Sequence, residues 1–407
     1  MRVLYVTPYV PSPIRTRPYN LIRALIRLGH QVTLLTAAST APEDRRQADE
    51  LRDWGVQVEA FPVPAPRSLL NCLLALPSRE PLQAVYAYHP QMKHRLETLL
   101  QTVDFDVVHI EHLRAARLVR AVRDRPVVYD AVDCIAFLFE QTVQNSPQPR
   151  ARWMARLDLA RTRWYEAHLL TQFDRVVITS RRDKEALEAL ARRYLPPREG
   201  LPPITVVTNG VDLEYFRPGE EDGRDYRTVV FTGKMSYHAN VASVLYFAAE
   251  VLPRIWARDP AVRFQIVGKD PPEAVRRLAA DERIEVTGYV EDLRPYLARA
   301  GVVVCPARYA VGIQNKVLEA MAMARPVVCT DAAFAGLQAE AGRDALVADD
   351  PETFAAHVLR LCTAPDLARR LGWAGRRYVE THHNWEDSAR RLVAVYEAAQ
   401  AGVKEVV

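Results

Sequence analysis

Between residues 302 and 337 the chain reads VVVCPARYAVGIQNKVLEAMAMARPVVCTDAAFAGL. A strand ending near Pro306 leads to a loop carrying Arg308, Tyr309 and Gly312, then to a helix over about 313–323 and a buried strand PVVCT. Gly312 lets backbone N–H groups approach a ligand closely, and the start of a helix favours an anion. Ile313, Gln314, Asn315, Lys316 and Val317 surround that helix start and are candidate contacts to a phosphate. Lys316 sits where the helix dipole disfavours a cation and precedes Glu319 by three residues, the poorer order for a helix ion pair. A phosphate in front of Lys316 would explain its placement; the alternative is a solvated lysine with its stem packed on the helix. Glu319, one turn further in and flanked by apolar VLEAMAMA, can accept two hydrogen bonds from a vicinal diol. The alternative is an exposed helix glutamate.

Five other segments carry candidate chemistry. In FTGKMSYHANVASVLYF (231–247), Gly233 permits a tight turn and Lys234 can reach a phosphate. Asn240 there is a helix cap or a ligand contact, and His238 reads as a surface residue. The strand ends at Glu111 and at Asp130–Asp133 offer carboxylates to a substrate hydroxyl, or caps to the next helix. The loop 8–18, PYVPSPIRTRP, brings Arg15, Thr16 and Arg17, whose guanidinium forks suit phosphate. The stretch 148–170, with five arginines and Trp153, Met154, Leu157 and Trp164, is either a helix lying on an anionic membrane or an ordinary domain helix with an Arg-rich outer face.

These segments need a scaffold. A strand at 3–7, a helix over 18–28 stopped at Gly29 and a strand at 31–36 form a βαβ unit, which implies a parallel sheet. Short apolar runs at 56–60, 107–110, 127–129 and 176–179 continue it. Four prolines and a glycine within 195–203 mark a linker. Runs at 204–208, 228–232, 264–267, 284–287, 302–304 and 326–329 then make a second doubly wound α/β unit. The expected boundaries are 1–198 and 204–383, with a C-terminal helix over 384–407 crossing back to the first domain. Ligands of such sheets bind at the carboxyl ends of strands, so the loops after strands of two facing domains would surround one cleft.

Composition bounds the rest. No apolar run in the 407 residues is long enough to span a bilayer, and the first residues read as a strand rather than a signal peptide, so a cytoplasmic protein is expected. Five scattered cysteines without a C-x-x-C pair suit neither zinc nor a disulfide framework. Residues 1–200 hold 29 Lys+Arg against 22 Asp+Glu, whereas 201–407 hold 25 against 28. The basic first half suits an anionic partner, including the inner face of a membrane. Nucleic acid is disfavoured, because the arginines are not interleaved with aromatics in any recognised module.

With those segments in register, the chain resembles the retaining GT-B glycosyltransferases of family 4. The phrase LEAMAMARPVV after a glycine loop carries the resemblance, together with Asn209-Gly210-Val211-Asp212 followed by Phe216 and Pro218, and with Gly233-Lys234 after a strand. Ile266-Val267-Gly268 and Val286-Thr287-Gly288-Tyr289-Val290 complete it. The resemblance implies two Rossmann-like domains facing a cleft, the first for the acceptor and the second for a nucleotide-sugar donor. It implies transfer of a hexose with retention, to a glycan, lipid-linked or other hydroxyl acceptor, without cofactor or metal. Donor contacts then fall to Gly233, Lys234, Asn240, Gly268, Tyr289, Val290 and the run Gly312–Val317 with Glu319. Arg15, Thr16, Arg17, Glu111, Asp130 and Asp133 fall on the acceptor side. Lys234, Lys316, Glu319 and Asp133 are the residues implied for catalysis. The family pattern of two glutamates separated by seven residues is broken, since Val311 stands at the first position. The segment Gly312–Lys316 resembles a subgroup from exopolysaccharide gene clusters, in which backbone amides and a polar side chain, Gln314 here, replace that carboxylate. Two other readings remain: a nucleotide-sugar epimerase, and a nucleotide-sugar-binding module without turnover.

Overall fold

A computed structural model of the chain describes residues 1–146, 148–196, 200–219 and 223–404. Two compact units emerge. The first comprises 1–139, 156–208 and 385–407, and the second 140–155 and 209–384.

The first unit is built on a seven-stranded sheet. Its strands are β1 (Arg2–Thr7), β2 (Gln31–Ala38), β3 (Gln57–Pro62), β4 (Val107–Glu111), β5 (Val127–Val132), β6 (Arg175–Ile178) and β7 (Ile204–Val206). Their order is β3-β2-β1-β4-β5-β6-β7, and every pairing is parallel. Both faces of the central strands are covered: β1 is buried from Val3 to Thr7 and β4 along its whole length, His109 and Glu111 included. One face packs Leu4, Val6, Val108, Ile110 and Tyr129, and the other packs Val3, Tyr5, Val107 and Val128. The helix Trp385–Lys404 closes the second of these cores with Ala389, Leu392 and Tyr396, all fully buried.

The second unit has six parallel strands: β8 (Asp225–Thr232), β9 (Arg263–Val267), β10 (Ile284–Gly288), β11 (Ala300–Cys305), β12 (Val327–Cys329) and β13 (Leu346–Val347). The order is β10-β9-β8-β11-β12-β13. Each sheet reverses its winding once, at β1/β4 and at β8/β11, and the loops beyond the carboxyl ends there are where such folds bind ligands.

The structure moves several boundaries. Residues 204–206, read from sequence as opening the second unit, pair with β6 and complete the first sheet. An edge strand belongs to whichever sheet offers it a partner, and a three-residue run carries no sign of which one that is. The first helix begins at Thr16, not Pro18, because a proline lacking its N–H is harmless within the first turn. Part of the proline-rich linker, residues 197–199, lies outside the described residues. The short strand β13 escaped the sequence reading altogether: two residues show no periodicity. The helix Pro149–Leu170 forms, but its burial contradicts a simple amphipathic pattern. Trp153, Met154 and Leu157 are exposed, while Asp158, Thr162 and Glu166 are buried.

Candidate active site

In the second unit β8 and β11 run side by side and release their loops together. After β8 the chain turns at Gly233, and after β9 it turns at Gly268. A Cβ on Gly268 would lie 1.8 Å from the Gly233 carbonyl oxygen, so the two turns touch backbone to backbone. A Cβ on Gly233 would in turn lie 2.8 Å from the Asn240 amide and 3.3 Å from Lys316 Nζ. The glycines thus leave room for two side chains arriving from helices. After β11, Gly312 takes a left-handed φ of 61°, and its carbonyl oxygen lies so close to Gly336 that a Cβ there would meet it at 2.1 Å.

The helix Asn315–Ala322 starts there with Gln314 at the N-cap, whose side chain makes no capping bond. Gln314 instead donates to the Val311 carbonyl at 3.2 Å. Asn315 accepts from Asn209 at 3.2 Å. Ile313 and Val317 are buried and hold the helix on the sheet. Lys316 donates to Asn240 Oδ1 at 2.5 Å, and its ammonium lies 4.5 Å from the centre of the Phe231 ring. Burial pushes its pKa below the ordinary lysine value. Glu319, one turn on, is half-buried, and burial lifts its carboxyl to about 7 against the pull of Lys316. A cation, a carboxylate and the start of a helix therefore lie together beyond β8 and β11.

Two residues behave differently from their sequence reading. Asn240 is not a cap: it is the third residue of His238–Tyr246, with Tyr237 at the N-cap. It ties the β8 loop together, donating to the Lys234 carbonyl at 2.9 Å while accepting from Lys316. His238 is not a surface residue but half-buried, with Nδ1 bonded to the Tyr309 hydroxyl at 2.6 Å. Burial lowers its pKa, so it is neutral at pH 7. Lys234 and Tyr289 are exposed, and Val290 is half-buried.

In the first unit the predicted acidic and basic residues meet one another. Arg17 and Asp130 are both buried and pair at 2.8 Å, and Arg17 also donates to the Val207 carbonyl. Burial opposes the Arg17 charge, but Asp130 more than compensates. Glu111 is buried and accepts from the Tyr5 and Tyr9 hydroxyls at 2.8 and 3.1 Å. Burial, then the nearby Asp130, raises its carboxyl to about 8. His109 lies 3.8 Å from Asp130, with Glu111 close by, a spacing that could hold a metal ion. The Arg17 guanidinium already brings positive charge to that cluster, so it reads as a buried ion-pair network. Asp133 is half-buried, 3.4 Å from the Thr179 hydroxyl; burial, then Asp183, raises it to about 7. Thr16 turns its hydroxyl onto the Pro13 carbonyl.

Of the predicted Arg15, Thr16 and Arg17, it is Arg15 that lines a cavity. It bonds the Val10 carbonyl at 2.9 Å, stands 3.4 Å from Asp44 and lies over the Tyr9 ring. The cavity, about 520 Å³, opens beyond β1, β2 and β3 and is lined by Tyr9, Arg15, Ser39, Ser68, Tyr86 and Arg114, among others. Arg114 is a residue that sequence reading missed, as is His112. His112 ends β4 at φ 68°, a strained conformation for a histidine and of the kind that collects at functional sites. Its ring accepts from the Arg114 N–H and faces Tyr9 edge-on. Burial, then Arg114, drives its pKa down to about 3, so the ring is neutral. Residue type alone does not mark His112; the signal is its backbone.

Comparison with known proteins agrees with this architecture. Residues 14–210 match the glycosyl transferase 4-like domain, and residues 226–364 match the family described as glycosyl transferases group 1. The phosphatidyl-myo-inositol mannosyltransferase of Mycolicibacterium smegmatis is 26% identical over 99% of this chain and 96% of its own. The D-inositol 3-phosphate glycosyltransferase of Kribbella flavida is 26% identical over 75% of this chain and 74% of its own. Among solved structures, Anabaena HepE in complex with UDP and glucose superposes with a TM-score of 0.68 at 14% identity, covering 98% of this chain and all of that one (100%). Sucrose-phosphate synthase from Thermosynechococcus elongatus gives 0.69 at 17% identity, over 99% and 100%. With both sheets, their winding and nearly the whole length accounted for, the chain belongs to the group 1 glycosyltransferases of family 4, with the GT-B fold.

Proposed function

We propose that the chain transfers a hexose from a nucleoside-diphosphate sugar to an acceptor hydroxyl with retention at the anomeric carbon. The second unit takes the donor and the first takes the acceptor. The observation that carries this reading is the grouping of Lys316, Asn240 and Gly233 at a helix start, with Glu319 one turn deeper. That arrangement suits a diphosphate against the helix N–H groups and a ribose diol against the carboxylate. A mannosyltransferase among the relatives, and a similar fold that holds UDP and glucose, support a hexosyl donor.

In this reading the bond from the anomeric carbon to the leaving phosphate oxygen breaks while the acceptor oxygen bonds to the same face. The acceptor proton passes to the departing phosphate. Lys316 and Lys234 offset the charge that develops on the diphosphate, and the protein otherwise supplies orientation. No step requires a metal. Val311 leaves the donor sugar without the first family glutamate, so the amides of 312–316 and Gln314 meet its hydroxyls instead. That feature aligns the chain with sugar transferases of exopolysaccharide clusters.

The test is a thermal-shift screen of nucleoside diphosphates and their sugars, followed by product analysis. A ligand at a hundred times its dissociation constant raises stability by about 2.7 kcal/mol. Stabilisation together with nucleoside diphosphate release in the presence of an acceptor supports transfer. Epimerised sugar without acceptor, or binding with no release under any acceptor, would replace it with another reading.

A further inference from the structure

The helix Ala65–Ala75 in the first unit is inside out. Its buried side chains are Ser68 and Ala75, with Asn71 and Cys72 half-buried between them. Asn71 anchors that face by donating to the Val85 and Tyr88 carbonyls at 3.1 and 2.8 Å. The outward face is leucine: Leu69 is 63% exposed, Leu73 54% and Leu74 69%, with Leu70 and Leu76 close behind. A solvated helix shows the reverse distribution, so a continuous leucine face marks a surface that something covers. Residues 60–79 contain Arg67 and Arg79 and no Asp or Glu. Arg161 joins them at the helix end by donating to the Leu76 carbonyl at 2.7 Å. Glu80, beside Arg79, is paired with Arg117 and Arg120, and Asp158 lies near Cys72 and Arg161. An exposed leucine face flanked by Arg67, Arg79 and Arg161 complements an anionic lipid surface. The same helix also walls the 520 Å³ cavity, through Ala65 and Ser68, opposite Arg15 and Arg114. Asp44 is the one acid in that lining, so the cavity keeps an excess of positive charge.

We infer that the acceptor is a bilayer lipid with an anionic headgroup: the headgroup enters the cavity beyond β1–β3, and the leucines of Ala65–Ala75 enter the apolar layer beside it. This rests on the reading that the first unit takes the acceptor, and it names the acceptor's class. A soluble glycan would give the cavity an occupant but would leave five leucines in water. The cavity is of the size that takes one headgroup, and its basic groups offer charge-assisted bonds to a phosphate oxygen.

The test is co-sedimentation of the full chain with vesicles of phosphatidylcholine alone or enriched in phosphatidylglycerol. The anionic vesicles should raise partitioning about tenfold, and added salt should reverse the gain. The double variant Leu70→Ser/Leu74→Ser should lose membrane binding by roughly tenfold or more, because two exposed side chains no longer leave water. Arg15→Gln should keep vesicle binding while weakening the thermal shift given by a water-soluble short-chain phosphatidic acid, by about tenfold in concentration. Circular dichroism checks each fold. Equal sedimentation of the wild type and the leucine variant, or indifference to phosphatidylglycerol, overturns the proposal. Self-association abolished by Leu70→Ser/Leu74→Ser, without vesicle binding, assigns the face to a second copy and also overturns it. UDP and UDP-glucose shifts are read on the same samples. Their absence in the wild type counts against the donor reading and leaves the lipid result to stand or fall alone.

Discussion

Glu319 and Lys316 face one helix start from consecutive turns, and their roles separate cleanly in kinetics. The ribose diol is remote from the reacting carbon, so Glu319→Gln should raise the donor KM more than it lowers kcat. A large fall in kcat at unchanged KM would move Glu319 to the chemical step. The carboxyl titrates at about 7, where burial has raised it. Its charged form is thus lost as pH falls through that value, and donor KM should rise below about pH 7 in the wild type but stay flat in Glu319→Gln. Lys316→Ala removes a charge-assisted contact to phosphate, worth roughly 1.5–3 kcal/mol, or about one to two orders of magnitude in kcat/KM. Lys234→Ala should act in the same direction. Near-normal kinetics in both lysine variants, with folding intact, would sink the phosphate assignment.

Glu166 shows how one element fixes another. It is 2% exposed, and its two oxygens accept the Ile135 and Ala136 N–H groups at 2.9 and 2.7 Å, capping the start of the helix Ile135–Asn145 from a different helix. Glu166→Ala leaves those buried donors unpaired and should cost about 1–3 kcal/mol each way the loss is read, as a lower Tm or a lower denaturation midpoint. Burial raises this carboxyl to about 8, only partly opposed by the two N–H groups. Between its unfolded value near 4.5 and about 8 the folded chain therefore holds a proton that the unfolded chain has released. Its contribution is complete below pH 4.5 and is lost as pH rises through 8. The slope of stability against pH in that window should be smaller in Glu166→Gln; an unchanged slope would remove Glu166 as its source.

At the scale of the whole molecule, the helix Trp385–Lys404 follows the second unit in sequence yet belongs to the core of the first. Tyr396 reaches His109 Nδ1 at 2.9 Å, and that imidazole is held neutral by burial and by Arg17. A chain ending at Asn384 should keep a protease-resistant second unit and lose the first, because Trp385, Ala389, Leu392 and Tyr396 leave a gap in its core. Two resistant fragments from that truncation would show the helix to be dispensable. Among the described residues no helix is long and apolar enough to cross a membrane.

The sequence alone determined the parallel α/β character of both sheets, since apolar runs alternating with helical patterns admit few other solutions. It also marked Gly233, Lys316 and Glu319 as candidates, because glycine spacing and a misplaced lysine are local features, and the structure brings Gly233 and Lys316 together with Asn240. What it left open depends on partners distant along the chain. Arg17 and Asp130 are 113 positions apart, and only folding turns both inward onto each other. Whether 204–206 joins the first or the second sheet is decided by pairing with β6, not by its own residues. The strain at His112 is a backbone angle, invisible in a residue name. That the leucines of Ala65–Ala75 face out is shown by the tertiary structure alone, because burial is a property of what packs against a helix face and not of the face itself.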